Sequence, residues 1–93
     1  MGDIRRTTLS TSYLGSEQTI PSGTRHFEVW GVDADPATAH AAIWLRISDQ
    51  QADDVEVLIA AGSTYDRDLT PGDTWTYNVK SVAGTPQAQI VLD

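Results

Sequence analysis

Cysteine is absent from the 93 residues, so no disulfide, thiolate metal site or cysteine nucleophile is available. That absence fits a product of the cytoplasm. Basic residues are scarce: six Lys and Arg stand against 13 Asp and Glu, for a formal net charge of −7. This balance argues against a nucleic-acid partner, because neutralising phosphates needs a Lys/Arg-rich surface. No apolar run approaches the roughly 20 residues that cross a bilayer, and residues 1–10 lack the apolar core of an export signal. Synthesis in the cytoplasm, with no membrane partner, is the expectation. No Ser stands in a Gly-x-Ser-x-Gly elbow, and no segment keeps helical periodicity over two turns. His26 and His40 are the only histidines and lie too far apart to be expected as a catalytic pair. No enzyme activity is expected.

What the chain does have is alternation. Across residues 25–48, Phe27, Val29 and Gly31 alternate with His26, Glu28, Trp30 and Val32, and later Ile43, Leu45 and Ile47 alternate with Ala42, Trp44, Arg46 and Ser48. That period of two marks strands. A hairpin turning at Pro36 and Ala37 would set Phe27 against Ile47, Val29 against Leu45 and Gly31 against Ile43 on one apolar face. The other face would then pair Glu28 with Arg46 and Trp30 with Trp44. Each such cross-strand pair is worth roughly 0.2–1 kcal/mol. Two adjacent outward tryptophans would forgo several kcal/mol of burial, at roughly 25 cal/mol per Å². A cover is expected: the protein's own N-terminal arm or a loop, a subunit interface, or a sugar or other ligand.

Residues 1–6 read as a loose tail and residues 7–93 as a single domain. Arg5 and Arg6 form the only basic cluster, and residues 7–14, with Leu9 and Tyr13, read as an edge strand or extended arm. Further strands are expected over residues 55–60, 74–82 and 87–92, separated by Ala61-Gly62-Ser63, Thr70-Pro71-Gly72-Asp73 and Ala83-Gly84-Thr85-Pro86. Trp75, Tyr77 and Val79 share one face of their strand and read as core. Six or seven strands in so short a chain predict an all-β antiparallel two-layer sandwich with an extended N-terminal arm, a jelly roll being one form of it. Sheet edges and the tryptophans would both be covered in a homo-oligomer.

Asp33 with Asp35, Asp49 with Asp53 and Asp54, and Asp66 with Asp68 fall in expected loops, where oxygen ligands could meet a hard cation. Asp is also the commonest turn residue, and none of these runs has EF-hand spacing. They read as solvated turns, and no metal or cofactor is assigned.

The order of segments resembles a known class. A Thr-rich opening ending in Tyr (TTLSTSYLG), then IPSGTRHFEVWG, a hydrophobic strand leading into LIAAGSTYDRDL, and a closing AGTPQAQIVL are similar to the small β-sandwich structural proteins of tailed bacteriophages. These are head decoration or cement proteins and related head or tail accessory proteins. The resemblance spans about residues 7–92 and rests on order and style rather than an invariant motif. It implies a virion protein that binds the assembled shell, often as a homotrimer, with the major capsid protein or another virion protein as partner. Self-association would fall to Glu28, Trp30, Trp44 and Arg46, and reaching onto the capsid to the arm residues Arg5, Arg6, Leu9 and Tyr13. Both assignments come from expected exposure, not from a family motif. A carbohydrate-binding module with surface aromatics, and a tail or neck adaptor, are the alternatives.

Overall fold

A computed structural model describes residues 3–33, 40–49, 55–70 and 75–93. Among these residues eight strands form: β1 (Asp3–Thr8), β2 (Gln18–Ile20), β3 (His26–Val32), β4 (Ile43–Asp49), β5 (Val55–Ile59), β6 (Tyr65–Asp68), β7 (Trp75–Ser81) and β8 (Gln87–Leu92). They make two four-stranded sheets, ordered β1-β8-β3-β6 and β2-β7-β4-β5, and every pairing is antiparallel. The result is an all-β two-layer sandwich. No helix long and apolar enough to cross a membrane occurs among the described residues.

The pairing has a simple logic. β1 pairs with β8, β2 with β7, β3 with β6 and β4 with β5, as if one long hairpin had been folded over on itself. Contacts of β3 with β8 and of β4 with β7 then close the two sheets. The tip of this long hairpin is the link between β4 and β5. The hairpin expected around Pro36 and Ala37 does not form, because β3 and β4 belong to different sheets. Among the described residues, their backbones bond to one another where the two segments diverge, through a Val32–His40 bridge and a hydrogen bond from Ala41 N–H to the Gly31 carbonyl at 3.1 Å.

Alternation nevertheless read the faces of β3 and β4 correctly. Phe27, Val29, Ile43, Leu45 and Ile47 are buried, as are Ile59, Tyr77, Val79, Ala88, Ile90 and Leu92 from the other strands. Phe27 bridges the layers, with its ring centroid 6.5 Å from Tyr65 in its own sheet and 5.3 Å from Tyr77 in the opposite one. Trp75 joins this core, and the Arg67 guanidinium of β6 covers its ring at 4.7 Å. Gly31 stands where the two layers come close: a Cβ there would collide with the Ala41 carbonyl oxygen and lie 2.7 Å from Ile43 Cγ2. Gly31 and Ile43 do face each other, but across the sandwich and not along a shared sheet.

Two short strands escaped the sequence reading. β2 is only three residues, and β6 (YDRD) is polar enough to pass for a loop. The expected loose tail is corrected as well, since Asp3 to Arg6 lie in β1 and pair with β8 residues Leu92 to Gln89. Asp66 and Asp68 sit in β6 and not in a turn. Asp35, Asp53, Asp54 and Asp73 lie outside the described residues.

Candidate interaction surfaces

After β1 the chain leaves the first sheet and crosses the outside of the second. Leu9 turns into the core, 2% exposed, and its N–H bonds the Pro86 carbonyl at 2.8 Å. The Ser10 carbonyl then accepts the Ser81 N–H at 2.8 Å. Over the middle of the sheet, Asn78 holds the crossing segment as a strand would. Its Oδ1 accepts the Leu14 N–H at 2.9 Å, and its Nδ2 donates to the Leu14 carbonyl at 3.1 Å. Asn78 is only 2% exposed although it points outward, because this segment lies on top of it.

Tyr13 rests between two cations. The Arg46 guanidinium lies 4.5 Å and the Lys80 ammonium 4.6 Å from its ring centroid. Burial first, and then the adjacent Glu56 carboxylate, hold the phenolic proton and push its pKa up to about 12, against a smaller opposing pull from Arg46. The hydroxyl makes no hydrogen bond of full geometry among the described residues, which agrees with desolvation as the main cause. Glu17 closes the crossing, its Oε1 3.3 Å from Arg46 Nη2 and its Oε2 accepting from Thr76 Oγ1 at 3.1 Å.

The expected site residues are therefore dispersed. Glu28 and Arg46 do not pair: Glu28 stands opposite Val91 and Asp66, and Arg46 opposite Asn78 and Glu56. Trp30 and Trp44 do not meet, because they project from the outer faces of different sheets, each half-buried. Trp30 stands opposite Gln89, whose Oε1 accepts from Arg6 Nε at 2.9 Å. Trp44 stands between Leu58 and Lys80. Leu9 is core and Tyr13 is clamped to the second sheet, so neither belongs to a free arm. Arg5 and Arg6 are strand residues.

Among the described residues the exposed large hydrophobics are Ile4, Val55, Leu58 and Val82, and two of them, Ile4 and Leu58, extend outer sheet faces. On the first sheet, Ile4 is 65% exposed and lies opposite Val91 on the outer face that also carries Trp30. On the second, edge strand β5 exposes Leu58 (52%) on the outer face beside Trp44, while Val55 (47%), opposite buried Ile47, is exposed on the other face of the same strand. A shallow recess of about 190 Å³ adjoins this edge, between β5 residues Val57 to Ile59 and Ser63, Thr64 and Tyr65. It is small for a ligand pocket, which usually occupies roughly 300–1,000 Å³. No family model matches this chain, and no curated protein matches it.

Proposed function

We propose that this protein is a structural component of a tailed-phage particle, a decoration or cement protein that self-associates and binds the assembled shell. We read the strand order, with β1, β8, β3 and β6 in one layer and β2, β7, β4 and β5 in the other, as a jelly roll. That fold hosts many functions, so it supports the reading without deciding it.

The observation that carries the reading is the pair of uncovered apolar surfaces on opposite sheets. A protein that bridges neighbours needs two binding surfaces. Patches facing in different directions suit a head-to-tail contact between unlike patches of sister subunits, which closes into a ring such as a trimer when the rotation between subunits closes. Many weak contacts repeated over a shell supply affinity without a deep pocket. A shared tryptophan platform for a sugar ring loses its basis, because Trp30 and Trp44 lie on different sheets. The arm assigned to capsid contact is replaced in this reading by the Ile4 and Leu58 surfaces.

Co-sedimentation with emptied heads of the phage that encodes the chain tests the proposal. Saturable pelleting, reduced by Ile4→Asp or Leu58→Asp, is expected. A protein that stays in the supernatant at all ratios overturns it.

A further inference from the structure

The outer face of the first sheet also carries a donor set that neither the resemblance nor the apolar surfaces explain. In the β3–β6 ladder His26 stands opposite Asp68 and Glu28 opposite Asp66, so strand alternation places all four side chains on one face. His26 Nδ1 lies 2.7 Å from Asp68 Oδ1, and His26 Nε2 lies 3.1 Å from Glu28 Oε1. One ligand atom each from His26, Glu28 and Asp66 falls within 4.8 Å of the other two.

A neutral imidazole has one N–H and one lone pair. With Asp68 holding the Nδ1 proton at the shorter distance, Nε2 either donates, as an imidazolium, to the Glu28 carboxylate or, once that proton leaves, offers its lone pair to a divalent ion seated between the two. Ligands about 2.0–2.1 Å from a tetrahedral divalent ion stand about 3.3 Å apart. The Nε2 to Oε1 separation is already close to that spacing. Asp66 is exposed and free to rotate inward as the third ligand, leaving the fourth position to water. Asp68 would act from behind the ring, as carboxylates behind metal-bound histidines do. All four residues sit on two hydrogen-bonded strands, which fixes their spacing better than a loop would.

We propose that His26, Glu28 and Asp66 form a three-ligand site for a first-row divalent cation of the Zn²⁺ type, with Asp68 orienting the imidazole. The nitrogen donor favours such ions over Ca²⁺ and Mg²⁺, which prefer oxygen. The site stands independently of any role in a virion. The sequence offered Asp66 and Asp68 as carboxylates that could meet a cation, but not His26 and Glu28, because only the β3–β6 register joins the two pairs.

Titration calorimetry with ZnCl₂ on the full chain, alongside NMR of the histidine ring nitrogens, tests the site. One Zn²⁺ per chain is expected, with the His26 Nε2 resonance moving and those of His40 unchanged. His26→Gln and Glu28→Gln should each weaken binding by at least about tenfold, and Asp68→Asn by about 10–100-fold, the range for an outer-shell partner. These positions are exposed or half-exposed, so the variants should keep the wild-type circular dichroism spectrum. Equal Zn²⁺ binding by His26→Gln, equal affinities for Ca²⁺ and Zn²⁺, or no binding would each overturn the proposal.

Discussion

Asn78→Leu removes the clamp that fastens the crossing segment to the second sheet while keeping the number and branching of the side-chain heavy atoms. Two backbone groups of Leu14 then lose their partners: the N–H bonded at 2.9 Å and the carbonyl bonded at 3.1 Å. Each part-buried group left unpaired costs about 1–3 kcal/mol. The segment can relieve some of that by lifting into water, but lifting exposes Leu14, which packs on the core, and unstacks Tyr13 from Arg46 and Lys80. Both routes cost energy, so a net loss of about 2–4 kcal/mol is expected. For a domain of this size each kcal/mol lowers Tm by about 4–8 °C, which makes the shift roughly 8–32 °C. Urea denaturation supplies the free energy, and amide exchange at Leu14 reports the local event. A loss below about 0.5 kcal/mol with unchanged Leu14 protection would mean that the segment is held by something other than Asn78.

Gly31→Ala should destabilise by about 3 kcal/mol, the upper end for over-packing, because its Cβ meets the Ala41 carbonyl and Ile43 Cγ2; chemical denaturation measures it. Alkaline titration should show one tyrosine losing its proton near pH 12, a step absent from Tyr13→Phe when absorbance near 295 nm is followed. Because the folded pKa lies above the unfolded value, the associated stability is fully present below about pH 10 and is lost as pH rises through the folded value. Ile4→Asp and Leu58→Asp should each leave stability within about 0.5 kcal/mol of wild type, as exposed substitutions do, while lowering the self-association measured by sedimentation.

Period-two alternation reports which way a side chain faces, and on that it served well. Residues 87–92 match β8, residues 74–82 contain β7, and Trp75, Tyr77 and Val79 are core as expected. Alternation says nothing about which strand lies alongside. β3 and β4 are neighbours in sequence and were paired for that reason, yet the chain between them crosses from one sheet to the other. The tryptophan pair and the Glu28–Arg46 pair fell with that single step. Tyr13 and Leu9 misled for a related reason: a Thr/Ser-rich segment carries no signal that it crosses a sheet 64 residues away in sequence to meet Asn78. The His26 cluster needs the same kind of long-range register, supplied by a four-residue strand of which three residues are charged.

Light scattering behind a sizing column, over a concentration series, tests most directly whether the two uncovered apolar surfaces are binding surfaces. The expected result is the mass of three 10.1 kDa chains, falling to one chain in Ile4→Asp or Leu58→Asp. A wild-type protein that stays monomeric at every concentration would contradict self-association through these surfaces.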